Sequence, residues 1–422
     1  MTGATRSGAD PLAGDPAIAS LLAREAERRR GSLQMLAAES SSSAAVRAAV
    51  GSILADKYAE GYPGHRYHGG VEVVDEIEEL AVSRARTLFG ADYVNVQPLS
   101  WALANFAVYA AFSQPGDQVL SLSLKHGGHQ SHGSRANLSG RWFSVVNYEV
   151  RRDTEQIDYD RLRDLALLHR PRILVAGGTS YSRAWDFAAL RTIADEADCI
   201  LWVDAAHLAG LAVGGVLESP VPFADVVTVA TNKVMRGPRG GLLLARGEHA
   251  DSLARAVYPF MQGAPAMHSI AAKAVAFDEC GRPEYREYAR AVADNAATLA
   301  SALADRGLRI VSGGTDTHIA VVEVSALGLS GREAAQRLAA CHIIVDKAVT
   351  PFDERPVVEG SAIRLGTAVL ADDGLRPTDM GAVADLMLDA LRTDDATRHA
   401  ELAAAVAELE QTVRRRHAPE GR

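Results

Sequence analysis

The stretch Val-Ala-Thr-Asn-Lys-Val-Met-Arg-Gly-Pro-Arg-Gly-Gly, residues 229–241, places Lys233 among small residues and glycines. About thirty residues upstream, an apolar run from Cys199 to Val203 ends at Asp204, and His207 follows shortly after. Short apolar runs are typical of buried strands, so Asp204 and Lys233 are each expected just beyond the end of a strand. Because parallel sheets bind ligands at the carboxyl ends of their strands, the two residues are predicted to share one site.

A lysine and an aspartate in this arrangement suit pyridoxal phosphate chemistry. The lysine amine condenses with the cofactor aldehyde as a Schiff base, and the aspartate keeps the pyridine nitrogen protonated, so that the ring accepts electrons from a substrate carbanion. Either residue alone is a weak signal, since most lysines are solvated surface groups. Together Lys233 and Asp204 indicate a pyridoxal phosphate enzyme.

Composition limits the class of protein. The 422 residues are 48% hydrophobic and 23% charged, as in an ordinary soluble protein with probably two domains' worth of core, and the net charge of -9 argues against a nucleic-acid partner. No apolar run has membrane-spanning length, and the first ten residues lack the apolar core of a secretion signal. The three scattered cysteines, Cys199, Cys280 and Cys341, have no metal-ligand spacing and fit a reducing compartment. We therefore expect a cytoplasmic protein with no metal site.

Apolar runs alternate with helical patterns through the middle of the chain. The predicted strands are Gln118–Leu124, Trp142–Val150, Ile173–Ala176, Ile200–Val203, Val226–Ala230 and Gly241–Ala245, with helices at Tyr159–His169 and Phe187–Ala197. This alternation predicts an α/β fold with a mostly parallel sheet covered on both faces. A helical stretch from about Ser269 to Arg306 then leads to a second unit, with strands near Leu308–Val311, Ile319–Val324 and Ile343–Val345.

Seven segments, in order, closely resemble the serine hydroxymethyltransferase family. They are Lys57–Gly70, Asn95–Pro98, His126–His129, His132–Ser134, Val203–His207, Arg236–Gly241 and Ile363–Thr367, and the resemblance runs from roughly residue 18 to residue 392. It implies a fold-type I pyridoxal phosphate transferase, with a mostly parallel seven-stranded sheet between helices and a smaller C-terminal α+β domain. It also implies a homodimer or homotetramer whose active sites are shared between subunits.

The predicted organisation has five segments. They are a flexible N-terminus (1–15), an N-terminal arm and helices at the dimer interface (16–90), a large cofactor-binding domain (91–285), a small C-terminal domain (286–395) and a charged C-terminal helix or tail (396–422). The last segment is expected to be solvated or to face a partner.

The resemblance assigns the catalytic roles. Lys233 forms the imine with the cofactor, Asp204 pairs with the pyridinium nitrogen, and His126 stacks on the ring. Glu60, donated by the neighbouring subunit, handles the proton of the substrate β-hydroxyl. His68, which replaces a family tyrosine by a group that titrates near neutral pH, joins this catalytic set.

The resemblance also assigns the binding roles. Arg364 holds the substrate carboxylate as a bidentate partner, with Tyr67 beside it, although Tyr67, His129 and His132 lie in Gly-rich segments where a turn role is common. The remaining cofactor-binding residues are His207 at the phenolic oxygen, Tyr58 at the phosphate of the neighbouring subunit's cofactor, and Ser100, Thr231, Thr179 and Gly263.

The phosphate-binding segment departs from the family. Ser100 is kept, but Trp101 replaces a glycine and Ala102 replaces a hydroxyl residue. A phosphate cup prefers small residues and donors, so either Thr231, Tyr58 and backbone amides rebuild it or the phosphate is held weakly. The alternative is that Trp101 packs outward. Two further exchanges, Ala38 for a serine and Asn232 for a histidine, alter donors near the substrate and the lysine.

The folate-binding side departs further. The run Asp346-Lys-Ala-Val349 stands where the family has Asn-Lys-Asn-Thr, and Ala371-Asp-Asp-Gly374 stands where it has Thr-Thr-Arg-Gly. Losing donors and adding carboxylates weakens recognition of a pterin and of a polyanionic folate tail. The sequence therefore predicts that tetrahydrofolate is not the partner.

Four functions remain open at this stage. The first is folate-independent retro-aldol or transaldol chemistry on a β-hydroxy-α-amino acid in specialised metabolism, in which Glu60 accepts the hydroxyl proton and the ring stabilises the carbanion. The second is an oxygen-using monooxygenase-decarboxylase that converts such an amino acid, for instance a nucleoside-linked one, to an amide. The third is an ordinary tetrahydrofolate-dependent serine hydroxymethyltransferase. The fourth, a non-catalytic scaffold, is disfavoured by the retained Lys233, Asp204, Glu60 and Arg364.

Overall fold

A computed structural model describes residue 12 and residues 14–417. The strands are β1 (Leu33–Gln34), β2 (Gly61–Tyr62), β3 (His65–Arg66), β4 (Tyr93–Asn95), β5 (Gln118–Leu122), β6 (Ser144–Tyr148), β7 (Ile173–Ala176), β8 (Ile200–Asp204), β9 (Val226–Ala230), β10 (Gly241–Ala245), β11 (Arg309–Ile310), β12 (Ile319–Glu323), β13 (Ile343–Ile344), β14 (Asp346–Ala348) and β15 (Ala362–Gly366). The α-helices are α1 (Pro16–Arg29), α2 (Ala44–Val50), α3 (Glu72–Phe89), α4 (Trp101–Phe112), α5 (Ser139–Trp142), α6 (Tyr159–His169), α7 (Phe187–Ala197), α8 (Ala209–Val213), α9 (Ala250–Arg255), α10 (Met267–Cys280), α11 (Pro283–Asp305), α12 (Gly331–Ala340), α13 (Ala368–Asp372), α14 (Met380–Arg392) and α15 (Ala396–His417).

The central sheet has seven strands in the order β4-β10-β9-β8-β7-β5-β6. The five strands from β9 to β6 in this order run parallel, and β10 pairs antiparallel with both β4 and β9. Alternate residues of β7 face different cores: Ile173 and Val175 pack into one, and Leu174 and Ala176 pack into the other. The predicted mostly parallel α/β sheet, covered on both faces, is therefore confirmed.

The sheet brings the predicted lysine and aspartate to one edge. β8 ends at Asp204, and β9 ends at Ala230, just before Lys233. Because β8 and β9 are parallel neighbours, both residues lie at carboxyl ends of strands. Behind Asp204, Gly177 has a φ of 102°, and a Cβ atom there would lie 2.1 Å from the Asp204 carbonyl oxygen, so only glycine fits.

A second, antiparallel sheet of four strands follows in the order β11-β12-β15-β14. It packs with α11, α12 and α14 around a separate core that includes Leu303, Val322 and Leu338. β1 pairs in parallel with β13, so the N-terminal segment joins this second unit. The predicted continuous helix over 269–306 is wrong in detail, because Gly281 and Pro283 divide it into α10 and α11.

The C-terminal helix α15 is less solvated than predicted. Its Leu402, Val406 and Val413 are buried in the second core. The predicted flexible segment 1–15 lies mostly outside the described residues. Over residue 12 and residues 14–417, no helix combines the length and the apolar character needed to cross a bilayer.

Candidate active site

Lys233 is buried at the centre of the site, with 7% of its surface exposed. Its Nζ atom lies 2.8 Å from Nε2 of His207 and 4.7 Å from the ring centroid of Trp101. Burial lowers the pKa of Lys233 to about 7, against the opposing charge of Asp204 and with the help of the positive charge of Arg364. Near neutral pH, a large share of the amine is therefore uncharged and nucleophilic.

A pair of stacked imidazoles fixes the proton positions around Lys233. Nε2 of His318 lies 3.2 Å from the Ala37 carbonyl oxygen and 3.2 Å from Nδ1 of His207. A carbonyl can only accept, so Nε2 of His318 carries the proton and Nδ1 of His207 accepts it. The proton of neutral His207 then sits on Nε2 and points at the lone pair of Lys233. Burial lowers the pKa of His318 to about 3 and that of His207 well below its usual value, which keeps both rings neutral.

Asp204 is a fully hydrogen-bonded, buried carboxylate. Its Oδ1 accepts from the indole Nε1 of Trp101 at 2.8 Å and from the Ala206 amide at 3.1 Å. Its Oδ2 accepts from Asn105 at 3.0 Å and lies 2.8 Å from Nε2 of His132. Burial alone would raise the pKa of Asp204, but the hydrogen bond from His132 and nearby positive charge lower it to about 2. The group therefore stays ionised near neutral pH.

Trp101 turns into the site, so the expectation that it packs outward is wrong. Ser100 caps α4, and its hydroxyl oxygen accepts from the Leu103 amide at 3.2 Å. From the first position of that helix, the indole reaches Asp204, and its ring lies 4.3 Å, edge to face, from the ring of His129. The indole thus lies between the carboxylate and the lysine amine.

Arg364 is held by two partners. Its Nη1 donates to the carbonyl oxygen of Thr179 at 2.6 Å and to the Thr179 hydroxyl at 2.9 Å. Its Nε donates to Oδ2 of Asp346 at 3.2 Å, and its Nη2 contacts the same oxygen. Asp346 and Arg364 are directly opposite on β14 and β15, which explains the contact. The side of the guanidinium expected to take a substrate carboxylate is therefore occupied by a carboxylate of the protein.

The two histidines of the segment 126–129 have different surroundings. Nδ1 of His126 accepts from the Val150 amide at 3.2 Å, and its ring packs on Phe352. His129, by contrast, packs on Trp101, and burial lowers its pKa to about 3, with Asp204 and Lys233 among the charges that act on it. In this structure the imidazole beside the centre is that of His129, while His126, the predicted stacking residue, is directed away to Val150 and Phe352.

A second cluster holds the predicted residues from the N-terminal arm. The carboxylate of Glu60 accepts from the hydroxyl of Tyr58 at 3.2 Å and lies 3.3 Å from Nε2 of His68. A Cβ atom on Gly263 would lie 3.4 Å from Glu60, and Tyr67 packs on Tyr258. Within the described part of the chain, no hydrogen bond joins this cluster to Lys233, Asp204 or Arg364. Tyr58 and Tyr67 are 58% and 72% exposed.

The structure gives the remaining predicted phosphate ligands other partners. The hydroxyl of Thr231 donates to the carbonyl oxygens of Pro238 at 2.6 Å and of Gly240 at 3.1 Å. Tyr58 donates within its own subunit to Glu60. What remains near Ser100 is the start of α4, where first-turn amides have no partner within the helix and suit an anion.

Comparison with known proteins decides the family. A family model described as serine hydroxymethyltransferase matches residues 12–387, most of the chain. This chain belongs to the serine hydroxymethyltransferase family. A serine hydroxymethyltransferase of Coprothermobacter proteolyticus is 48% identical over 396 residues, covering 94% of this chain and 95% of that protein. One from Deinococcus deserti is 48% identical over 386 residues (91% and 95%), and serine hydroxymethyltransferase 1 of Pseudomonas fluorescens is 47% identical over 387 residues (92% and 94%).

Serine hydroxymethyltransferases are pyridoxal phosphate enzymes, and this family member is an enzyme of that class. The buried amine of Lys233 and the ionised Asp204 fit the aldehyde and the pyridinium nitrogen of the cofactor. The position between them is taken by the indole of Trp101, so the ring fits once that side chain has moved. Sequence reasoning missed His318 and Asn105, and it left His132 in doubt. The only available signals were a histidine next to β12 and an asparagine on α4, neither of which indicates a buried contact.

Proposed function

We propose that this family member cleaves the Cα–Cβ bond of a β-hydroxy-α-amino acid. One observation carries the proposal: Lys233 is a buried amine whose lone pair faces the Nε2 proton of neutral His207, on the same sheet edge as an ionised Asp204. When bound, pyridoxal phosphate supplies an aldehyde that captures amines and a ring that accepts electrons. An uncharged lysine and a permanent carboxylate are the groups that such a cofactor needs from the protein.

The other residues of the site have binding and proton-transfer tasks. Arg364, fixed by Thr179, orients the substrate carboxylate. Glu60 accepts the proton of the β-hydroxyl, and His68, at 3.3 Å, can relay it. His207 holds a proton at Lys233 Nζ, so that the amine can exchange it with an incoming amino group.

We propose that the two clusters meet across the interface of a homodimer. The support is the exposure of Tyr58, Glu60, Tyr67 and His68, which carry chemistry but do not reach Lys233 within one chain. Large apolar side chains also lie exposed near this cluster, with Ile53 82%, Val73 66% and Phe260 68% exposed. Burying them against a second copy would remove apolar surface from water. We further propose a cytoplasmic location, supported by the three cysteines, which are all free.

Two acceptors for the cleaved one-carbon or aldehyde fragment are in contention. The names of the relatives support hydroxymethyl transfer between serine and tetrahydrofolate, which we propose as the activity. A second candidate, folate-independent retro-aldol or transaldol chemistry, is favoured by the substitutions on β14. There, Ala348 has no donor for a pterin, and Asp346 places a carboxylate on Arg364.

Product analysis with L-serine, with and without tetrahydrofolate, tests both. Glycine formation that requires tetrahydrofolate supports the first candidate. Cleavage of L-threonine or another β-hydroxy amino acid at the same rate with and without folate supports the second. Oxygen consumption coupled to turnover would replace both by oxidative decarboxylation. No cleavage of any such substrate by the cofactor-loaded protein would refute the proposed function.

A further inference from the structure

The four donors on Asp204 leave it no room for a fifth. A carboxylate offers about four lone-pair positions on its two oxygens. Here Trp101 and the Ala206 amide occupy Oδ1, while Asn105 and His132 occupy Oδ2. A pyridinium N–H that approaches Asp204 must therefore displace one of these donors.

Trp101 is the donor that can leave. Asn105 and His132 are 0% and 4% exposed and make second hydrogen bonds, to Ser131 and Tyr109. The Ala206 donor is a backbone amide that follows β8 directly. Trp101 is only half-buried and holds the first position of α4, so a change of its side-chain rotamer breaks one hydrogen bond and leaves the helix intact.

The indole also resembles the group that would replace it. It is a planar aromatic ring whose N–H edge donates to Asp204, with the Lys233 amine 4.7 Å from its ring centroid and the His129 ring 4.3 Å away. An aromatic ring with a donor on its edge, next to that amine, is also what a bound pyridoxal phosphate presents. The two rings therefore compete for one position.

We infer that Trp101 is an internal competitor of the cofactor, and that pyridoxal phosphate enters this site by displacing the indole from Asp204. The inference rests on the cofactor role proposed for Asp204. Trp101 thereby sets the affinity of the apoprotein for its cofactor. It also keeps Asp204 and Lys233 covered while no cofactor is bound.

Equilibrium titration of the apoprotein with pyridoxal phosphate tests the inference. A hydrogen bond to a charged group contributes enough that its loss changes an equilibrium about 10- to 100-fold. Trp101→Ala should therefore bind pyridoxal phosphate about 10- to 100-fold more tightly than the unmodified protein. Trp101→Phe, which keeps an aromatic ring but loses the N–H, should tighten binding about tenfold. Trp142→Phe, at a 48% exposed tryptophan, is the matched control and should leave the affinity unchanged.

A second readout follows the indole itself. The protein has four tryptophans, so 5-fluorotryptophan labelling gives four ¹⁹F resonances, and the Trp101→Phe spectrum identifies the one from Trp101. The ligand is a pyridoxal phosphate analogue with a methyl group in place of the aldehyde, which binds without reacting with Lys233. On saturation the Trp101 resonance should move toward the solvent-exposed position, while that of Trp142 stays in place.

Two results would overturn the inference. One is an affinity for pyridoxal phosphate that is unchanged or weaker in both Trp101 variants. The other is an unmoved Trp101 resonance when the analogue is bound. Neither result affects the proposed function, which fails separately if the cofactor-loaded protein cleaves no β-hydroxy amino acid.

Discussion

Asp346→Asn should improve the binding of an amino acid substrate. In the structure Asp346 occupies Nε and Nη2 of Arg364, the part of the guanidinium that Thr179 leaves free, so a substrate carboxylate has to displace it. Because 34% of the Asp346 side chain is exposed, solvent screens the pair, and we assign it about 1 kcal/mol. Removing that competition should lower KM about fivefold with little change in kcat.

The assay is the release of acetaldehyde from L-threonine, followed by coupled reduction of the aldehyde. A threonine derivative with an amide in place of the carboxylate provides the internal control, since Asp346→Asn should not improve its KM. Asp316→Asn is the matched variant, because Asp316 pairs with Arg183 rather than with Arg364. A KM for threonine that is unchanged or higher in Asp346→Asn would show that Asp346 positions Arg364 instead of competing with the substrate.

Three further predictions concern the lysine and the glutamate. Lys233→Ala should lose the absorbance at about 420 nm that an imine with pyridoxal phosphate gives, and persistence of the band would identify another amine as the attachment point. Because the pKa of Lys233 is lowered to about 7, the rate at which this absorbance appears should fall about tenfold per pH unit below pH 7; a flat rate between pH 5.5 and 8 contradicts a neutral amine nucleophile. Glu60→Gln should slow retro-aldol cleavage far more than exchange of the α-proton of glycine measured by NMR, whereas equal losses would remove Glu60 from hydroxyl proton transfer.

The sequence predicted the central sheet well because its strands are continuous apolar runs. Ile173–Ala176, Val226–Ala230 and Gly241–Ala245 begin and end where the pattern placed them. The meeting of Asp204 and Lys233 followed from the same pattern, since the two residues come after parallel neighbours. Periodicity and strand polarity suffice for such features, because both depend on which residues must be buried.

The contacts that distinguish this chain from its family needed coordinates. The sequence shows a tryptophan in place of glycine, but whether Trp101 turns inward depends on the space beside Asp204. The contact of Asp346 with Arg364 depends on the register of β14 and β15, and β14 is a three-residue strand without an apolar run. The His207–His318 pair joins the two cores, and no spacing within one segment encodes such a contact.

The parallel pair of β1 and β13 has a consequence for synthesis of the protein. Leu33 leaves the ribosome early, whereas its partner Ile343 is made near the end of translation. The loop after β1 supplies the Ala37 carbonyl to His318 and the Ser40 hydroxyl to the Asn232 carbonyl, so it reaches its place beside Lys233 only once β13 exists. A nascent chain released before residue 343 would contain the reactive lysine without the loop that fixes its surroundings. Catalytic competence is thereby delayed until almost the whole polypeptide has been made.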